Sequence, residues 1–271
     1  MQTTSRRALL IGVCVLLGAC KQPASRQGSQ PSGTSVSATP ADGTATAAAA
    51  YAKSCGAGDA FSCQRLGHMY LDGRGVPQDD AKAFELYEKG CRGGQAFACS
   101  SLGFMYDTGR SVPKDRDKAR ELYEDACNRN DGYGCYNIGV MRLDGVAGFT
   151  KDEEAAVRLF RRACDLGDPA GCSSLGWAFE TGTGGTQQDG VAAKAYYEKG
   201  CDGGSGYGCY NLALYFHTGK GGASPDLSRA LSLYRKSCDR GYTTACPFVG
   251  SLIEQGVAVE DGRRRRPRRD R

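Results

Sequence analysis

From residue 44 to residue 256 apolar side chains recur at helical spacing, and the same order of positions returns six times. The copies register on paired cysteines spaced C-x7-C: Cys55/Cys63, Cys91/Cys99, Cys127/Cys135, Cys164/Cys172, Cys201/Cys209 and Cys238/Cys246, with successive pairs 36 or 37 residues apart. Three residues beyond the second cysteine stand Leu66, Leu102, Ile138, Leu175, Leu212 and Val249. Four beyond stand Gly67, Gly103, Gly139, Gly176, Ala213 and Gly250, and seven beyond Tyr70, Tyr106, Arg142, Phe179, Phe216 and Ile253. Positions 0, 3, 4 and 7 share one face of an α-helix. They predict an amphipathic helix A, whose small residue at position 4 lets a neighbour approach closely. Ten beyond the cysteine come Gly73, Gly109, Gly145, Gly182, Gly219 and Gly256, the residue type that ends a helix in the left-handed region.

Reading backwards from the first cysteine gives a second helix, B. Eight residues before it stand Ala47, Ala83, Ala119, Ala156, Ala193 and Ala230; four before it stand Tyr51, Tyr87, Tyr123, Phe160, Tyr197 and Tyr234. Leu86, Leu122, Leu159, Tyr196 and Leu233, five before it, complete the same face. Asp79, Asp115, Asp152, Asp189 and Asp226, twelve before it, are cap-type residues at the helix start. Three after the cysteine, Gly58, Gly94, Asn130, Gly167, Gly204 and Gly241 mark its end. Each unit is therefore two antiparallel helices. Residues 44–55 read as a lone B helix and 244–256 as a lone A helix, flanking five whole units. A single pair cannot bury its apolar face alone, so units at this period must stack. The predicted fold is all-α, a right-handed α/α superhelix (solenoid) of about twelve helices.

The first cysteine of each pair ends helix B of one unit; the second lies in the first turns of helix A of the next. A disulfide would staple adjacent units, each closing a small loop worth roughly 2.5 kcal/mol in the chain-entropy model. Metal binding is the rival reading, but C-x7-C is not a usual zinc spacing and no Cys or His pair supplements it. Catalytic dithiols are usually C-x-x-C, which does not occur. Six inter-repeat disulfides are the favoured reading.

The core of one unit, CSSLGFMYDTGRSVPKDRDKARELYEDAC from Cys99 to Cys127, resembles the Sel-like repeats, relatives of tetratricopeptide repeats. With its C-x7-C pairs the chain is similar to the Helicobacter cysteine-rich protein family of secreted repeat proteins. The resemblance covers about residues 44–256 and implies a disulfide-stapled superhelix. It implies two functions: a scaffold for protein–protein contact, and, because several cysteine-rich relatives bind and slowly hydrolyse penicillins, a penicillin-binding protein with weak β-lactamase activity. The scaffold is the expected one.

The N-terminus changes the expected location. Arg6-Arg7, the apolar Ala8–Leu16 and then Leu17-Gly18-Ala19-Cys20 resemble a bacterial lipoprotein signal. The resemblance implies a signal peptide over 1–19 and lipidation of Cys20, with Lys21 favouring the outer membrane. Residues 20–43 hold no aromatic residue and read as a flexible tether. An exported compartment suits the disulfides. No apolar run reaches the length of a membrane-spanning helix.

The net charge of +5 is concentrated at the ends. Residues 263–271 hold seven Arg and one Asp, and residues 20–262 carry −3. The body is mildly acidic, which excludes a basic surface tracking nucleic acid. The tail over 257–271 reads as disordered and able to meet anionic lipid head groups.

Candidate chemistry is sparse. Ser111-Val112-Pro113-Lys114 matches S-x-x-K by letters, but it falls in the loop between helices A and B, and S-D-N and K-T-G are absent. His68 and His217 stand far apart along the units and cannot share a metal in a solenoid. No catalytic residue, metal or cofactor is assigned. A binding strip is easier to place. Positions 2, 5 and 9 of helix A lie about 140° to 200° from the cysteine, at about 100° per residue. Position 2 reads Arg65, Ser101, Asn137, Ser174 and Asn211; position 5 reads His68, Phe104, Val140, Trp177 and Leu214; position 9 reads Asp72, Thr108, Asp144, Thr181 and Thr218. Amide and hydroxyl groups beside Phe104 and Trp177 suit an extended peptide or a cell-wall fragment. The alternative is that the position-5 residues merely pack against adjacent A helices. The chain is expected to be a monomer.

Overall fold

The computed structural model describes residues 43–258. The signal-like segment with Cys20, the segment up to residue 42 and the arginine-rich tail lie outside the described residues. Within them run twelve α-helices and no strand: α1 (Thr44–Gly56), α2 (Ala60–Asp72), α3 (Asp80–Arg92), α4 (Ala96–Thr108), α5 (Arg116–Asn128), α6 (Gly132–Asp144), α7 (Glu153–Asp165), α8 (Pro169–Thr181), α9 (Gly190–Gly203), α10 (Gly206–Thr218), α11 (Leu227–Asp239) and α12 (Cys246–Glu254). Odd-numbered helices are B and even-numbered ones A. Each packs on the next, and A helices also touch one another (α4 on α6, α6 on α8, α8 on α10), as in a solenoid.

The helix starts follow from capping. All five aspartates expected to cap B helices do so. Asp79, Asp115, Asp152 and Asp226 accept the backbone N–H three residues on at 2.8–3.0 Å, and Asp189 accepts from Val191 and Ala192. A second set of caps lies on the A helices. Asp59, Asp131, Asp168 and Ser205 accept from Ser62, Gly134, Gly171 and Gly208. These residues all stand four before the second cysteine, a further regularity of the repeat.

The helix ends also obey the pattern. Gly73, Gly109, Gly145, Gly182 and Gly219 close the A helices at φ between +66° and +76°. The B helices run one or two residues past their cysteine, and the left-handed residue, Asn130 included, follows. The last A helix is shorter than expected. Tyr242 replaces the cap, so the chain enters through a 3-10 turn at Thr243–Ala245, and α12 begins at Cys246 with Pro247 in its first turn, where the missing N–H costs nothing.

Two kinds of close approach build the core. Within a unit, the position-4 glycine of helix A sits on the aromatic ring of helix B. A Cβ at Gly67, Gly103, Gly139 or Gly176 would lie 2.7–3.1 Å from the rings of Tyr87, Tyr123, Phe160 and Tyr197 respectively. Between units, small residues beside the cysteines let helix B meet the next helix A: a Cβ on Gly90 would lie 2.9 Å from that of Ala98, and one on Gly171 2.5 Å from that of Ala163.

This closeness brings each cysteine pair to 4.3–5.1 Å between Cα atoms. All six pairs are disulfide-bonded: Cys55–Cys63, Cys91–Cys99, Cys127–Cys135, Cys164–Cys172, Cys201–Cys209 and Cys238–Cys246. The second cysteine sits deeper in helix A than a start just before it would put it. Cys63, Cys99, Cys135, Cys172 and Cys209 each stand fourth in their helices, four residues beyond a side-chain cap in every case but Cys99, where Gln95 makes no such bond; Cys246 stands first. Cys172 and Cys209 are buried beside the cores of their units. Their Sγ atoms lie 3.6 and 3.7 Å from the carbonyls of Cys164 and Cys201. Bonded sulfur carries no proton, so these are packing contacts and not thiol hydrogen bonds. The Arg240 guanidinium of the following unit covers the last of these bridges, with Nη1 2.9 Å from Cys209 Sγ.

Candidate binding face on the A helices

The strip expected at positions 2, 5 and 9 lies along the A helices, and its residues divide by depth. Position 5 is half-buried throughout. Phe104 packs against the cluster around Tyr87 and Leu102 and also against that around Tyr123 and Ile138. Trp177 bridges two clusters in the same way, Val140 joins one of them, and Leu214 packs beside Leu212. These side chains wedge between consecutive units while keeping one edge in solvent, so the packing reading holds for their inner edges.

Position 2 is mostly drawn inward. Ser101 and Asn211 are nearly covered, Asn137 and Ser174 are half-buried, and Arg65 is exposed. The Ser101 hydroxyl donates to the Phe97 carbonyl at 2.8 Å. Asn137 and Asn211 donate one amide N–H each to the carbonyls of Tyr133 and Tyr207, at 2.7 and 3.0 Å. Position 9 is exposed, but Thr108, Thr181 and Thr218 donate to the carbonyl four residues back. The hydroxyl and amide donors of the strip are thus partly spent inside their own helices.

A row the pattern missed stands two residues before the second cysteine: Phe61, Phe97, Tyr133, Ala170 and Tyr207. At about 100° per residue it falls about 160° from the cysteine, within the same strip, so helical arithmetic alone would have found it. Phe61 and Phe97 are 50% and 38% exposed. Phe97 meets the His68 ring edge-on at 6.2 Å, and Tyr133 and Tyr207 meet the buried Tyr123 and Tyr197 at 6.2 and 6.3 Å.

The B-helix tyrosines end among these residues. The Tyr87 hydroxyl is 3.4 Å from His68 Nδ1, Tyr197 donates to Glu180 Oε2 at 2.6 Å, and the Tyr234 hydroxyl is 3.2 Å from His217 Nδ1. Burial pushes the Tyr87, Tyr123, Tyr197 and Tyr234 hydroxyls above the usual phenol range, so they stay neutral; Tyr87, Tyr197 and Tyr234 have the partners above, and the Tyr123 hydroxyl is buried without one among the described residues. Burial also pushes Tyr133 up to about 12, against a hydrogen bond from Asn137 that favours the charged form. Lys220, from the loop of the following unit, pairs with Glu180.

Ser111 of the S-x-x-K match sits in the loop after α4, exposed, at φ +67°, and not at a helix start. The cluster of Cys91, Cys99 and Asp125 has ligand-like spacing, but its two sulfurs are bonded to each other and offer no thiolate.

A family model described as Sel1 repeat matches residues 60–95, 96–131, 132–168, 169–205 and 206–242. Among solved structures, a Sel1 repeat protein from Oxalobacter formigenes is 28% identical with a TM-score of 0.61, over 76% of this chain and 84% of that one. The protective antigen c5321 of uropathogenic Escherichia coli, which displays an SLR fold, is 24% identical with a TM-score of 0.54, over 80% of this chain and 47% of that one. Helicobacter pylori cysteine rich protein B is 32% identical, with a TM-score of 0.39, over 48% of this chain and 92% of that one. No curated protein matches the chain.

Proposed function

Because the chain belongs to the Sel1 repeat family, whose members serve as protein-interaction scaffolds, we propose that it is a cell-envelope lipoprotein that holds an extended peptide or protein segment along its A helices. The observation that carries the binding reading is the row of rings at the A-helix starts, Phe97, Tyr133 and Tyr207, continuous with the solvent-facing edges of Phe104 and Trp177. Such a strip offers apolar contact along the units, with the half-buried Asn137 and Ser174 between to meet a peptide backbone. Its groups are near neutral, which suits peptides and cell-wall fragments over polyanions. The lipoprotein reading rests on Leu17-Gly18-Ala19-Cys20, with Cys20 as the acylated residue.

Trp177 is the chain's sole tryptophan and stands in the strip, so occupancy is read from its emission. Peptides captured from a random library by the oxidised protein are expected to shift that emission and to lose at least tenfold in affinity in Phe97→Ser, with helicity unchanged. Captured peptides indifferent to Phe97→Ser would reject the strip. Hydrolysis of nitrocefin at a rate untouched by that substitution would favour a hydrolase in its place.

A further inference from the structure

The chain divides one contact between its two ends. In interior units the position-4 residue of helix A lies buried on the helix-B ring of the same unit, as Gly67 does on Tyr87 and Gly176 on Tyr197. In the C-terminal half-unit that position is Gly250, which is exposed, with nothing within 4 Å of its would-be Cβ. Beside it on the same face Ile253 is 48% exposed. In the N-terminal half-unit the ring position is Tyr51, half-buried where its five equivalents are at most 1% exposed. Among the described residues, α12 is thus an A helix without its B helix, and α1 a B helix without its A helix.

The polar contact of the unit is divided in the same way. Eight residues beyond the second cysteine, Glu180 accepts from the Tyr197 hydroxyl and His217 meets that of Tyr234. The same position in α12 is Glu254, exposed. Residues 1–42 and 259–271 contain no Phe, Tyr or Trp that could supply that ring.

We propose that α1 of one chain docks on α12 of a second copy, so that two half-units make a sixth whole unit and the solenoid continues head to tail. The Tyr51 ring covers Gly250 and its hydroxyl donates to Glu254, as Tyr197 does to Glu180. The α2 helix of the second copy then lies beside α12, as α8 lies beside α10, bringing the exposed Phe61 into the junction. The contact is heterologous, so each added chain leaves one free end of each kind and assembly is open-ended. Ala50 stands where interior B helices carry a leucine or tyrosine, so the junction buries less than an interior pair. It is therefore a small interface whose occupancy depends on concentration. This departs from the monomer expected above and does not depend on the peptide strip.

The test uses the full-length oxidised chain carrying Tyr51→p-benzoylphenylalanine, mixed as light and isotope-labelled protein, irradiated, and read by peptide mass spectrometry. Mixed-isotope cross-links from residue 51 to residues 246–256, rising in yield with concentration, are expected. Gly250→Leu, at an exposed helical position, should keep helicity and all six disulfides while cutting that yield at least tenfold. Cross-links of single isotopic composition only, cross-links landing in residues 259–271, or full yield in Gly250→Leu would each overturn the proposal.

Discussion

Gly139 and Gly250 hold the same position in the repeat, and the structure treats them oppositely. Gly139 is buried, and even a methyl group there would meet the Phe160 ring at 2.7 Å; Gly250 faces open space. The same contrast separates Tyr123, fully covered, from Tyr51, half-covered. A repeat pattern therefore specifies what a surface is shaped to receive, and the neighbouring helix decides whether that surface is core or interface. In a solenoid each unit touches only its neighbours, so every missing neighbour leaves a defined face uncovered.

The largest expected effect is at the closed contact. Gly139→Leu overpacks the ring and should lower stability by about 1–3 kcal/mol or more in urea unfolding of the oxidised protein. Gly250→Leu should leave stability unchanged or raise it by up to about 1 kcal/mol, because leucine favours helix where glycine does not. Equal losses in both would erase the distinction between interior and end. Next come the disulfides. Removing Cys127–Cys135 by paired serines should cost about 2–3 kcal/mol of global stability. Removing Cys238–Cys246, whose sulfurs belong to half-buried residues at the end of the array, should mainly free α12. Amide exchange should then accelerate in α12 while α4–α9 stay protected. Capping is smaller: Asp115→Ala should cost about 1 kcal/mol inside the array, whereas Gly43→Asp, at the uncapped start of α1, should gain a few tenths.

The smallest effect is electrostatic and again separates end from interior. Asp59 and Asp168 cap equivalent helices. Asp168 lies behind Gly132 of the preceding unit, and burial, with repulsion from Asp131, raises its pKa despite the Gly171 N–H. Asp59 begins the first A helix, and its hydrogen bonds from Ser62 lower its pKa. Asp168 thus contributes stability fully present below the unfolded value near 3.8 and lost as pH rises through the higher folded pKa. Asp59 contributes stability present above that value and lost as pH falls. Asp168→Asn keeps the cap, so it should raise the melting temperature slightly at pH 7 and flatten its fall as pH rises above 3.8. Asp59→Asn should lower the melting temperature at pH 7, a loss that disappears as pH falls below 3.8. Melting curves from acid to neutral pH decide between the two signs.

Most of the fold was legible. The helix order, the B-helix caps and the left-handed stops all lie within short stretches of chain, where period and residue type suffice. The same holds for the six cysteine pairs, Cys164 with Cys172 and Cys201 with Cys209 among them, since each spans one turn between helices. How far Cys172 and Cys209 stand inside their helices was not read, because the caps Asp168 and Ser205 were passed over. The candidate face was legible only in outline. Helical arithmetic put Asn137, Asn211 and Ser101 on one strip, but it did not show that their donors turn back to Tyr133, Tyr207 and Phe97. Phe97 and Tyr207 join that strip from the turn of helix that precedes the cysteine.

By itself the sequence determined the unit, its number and the chemistry of each position, because these depend on contacts within a helix or across one turn. Only the tertiary structure decided which edges of Phe104 and Trp177 stay in solvent, which hydroxyl meets Glu180, and that Gly250 and Tyr51 are left without each other. Those depend on distances between helices some 20 to 200 residues apart in the chain. Such distances are set by how closely glycine lets one helix approach the ring on the next, and by where the array stops.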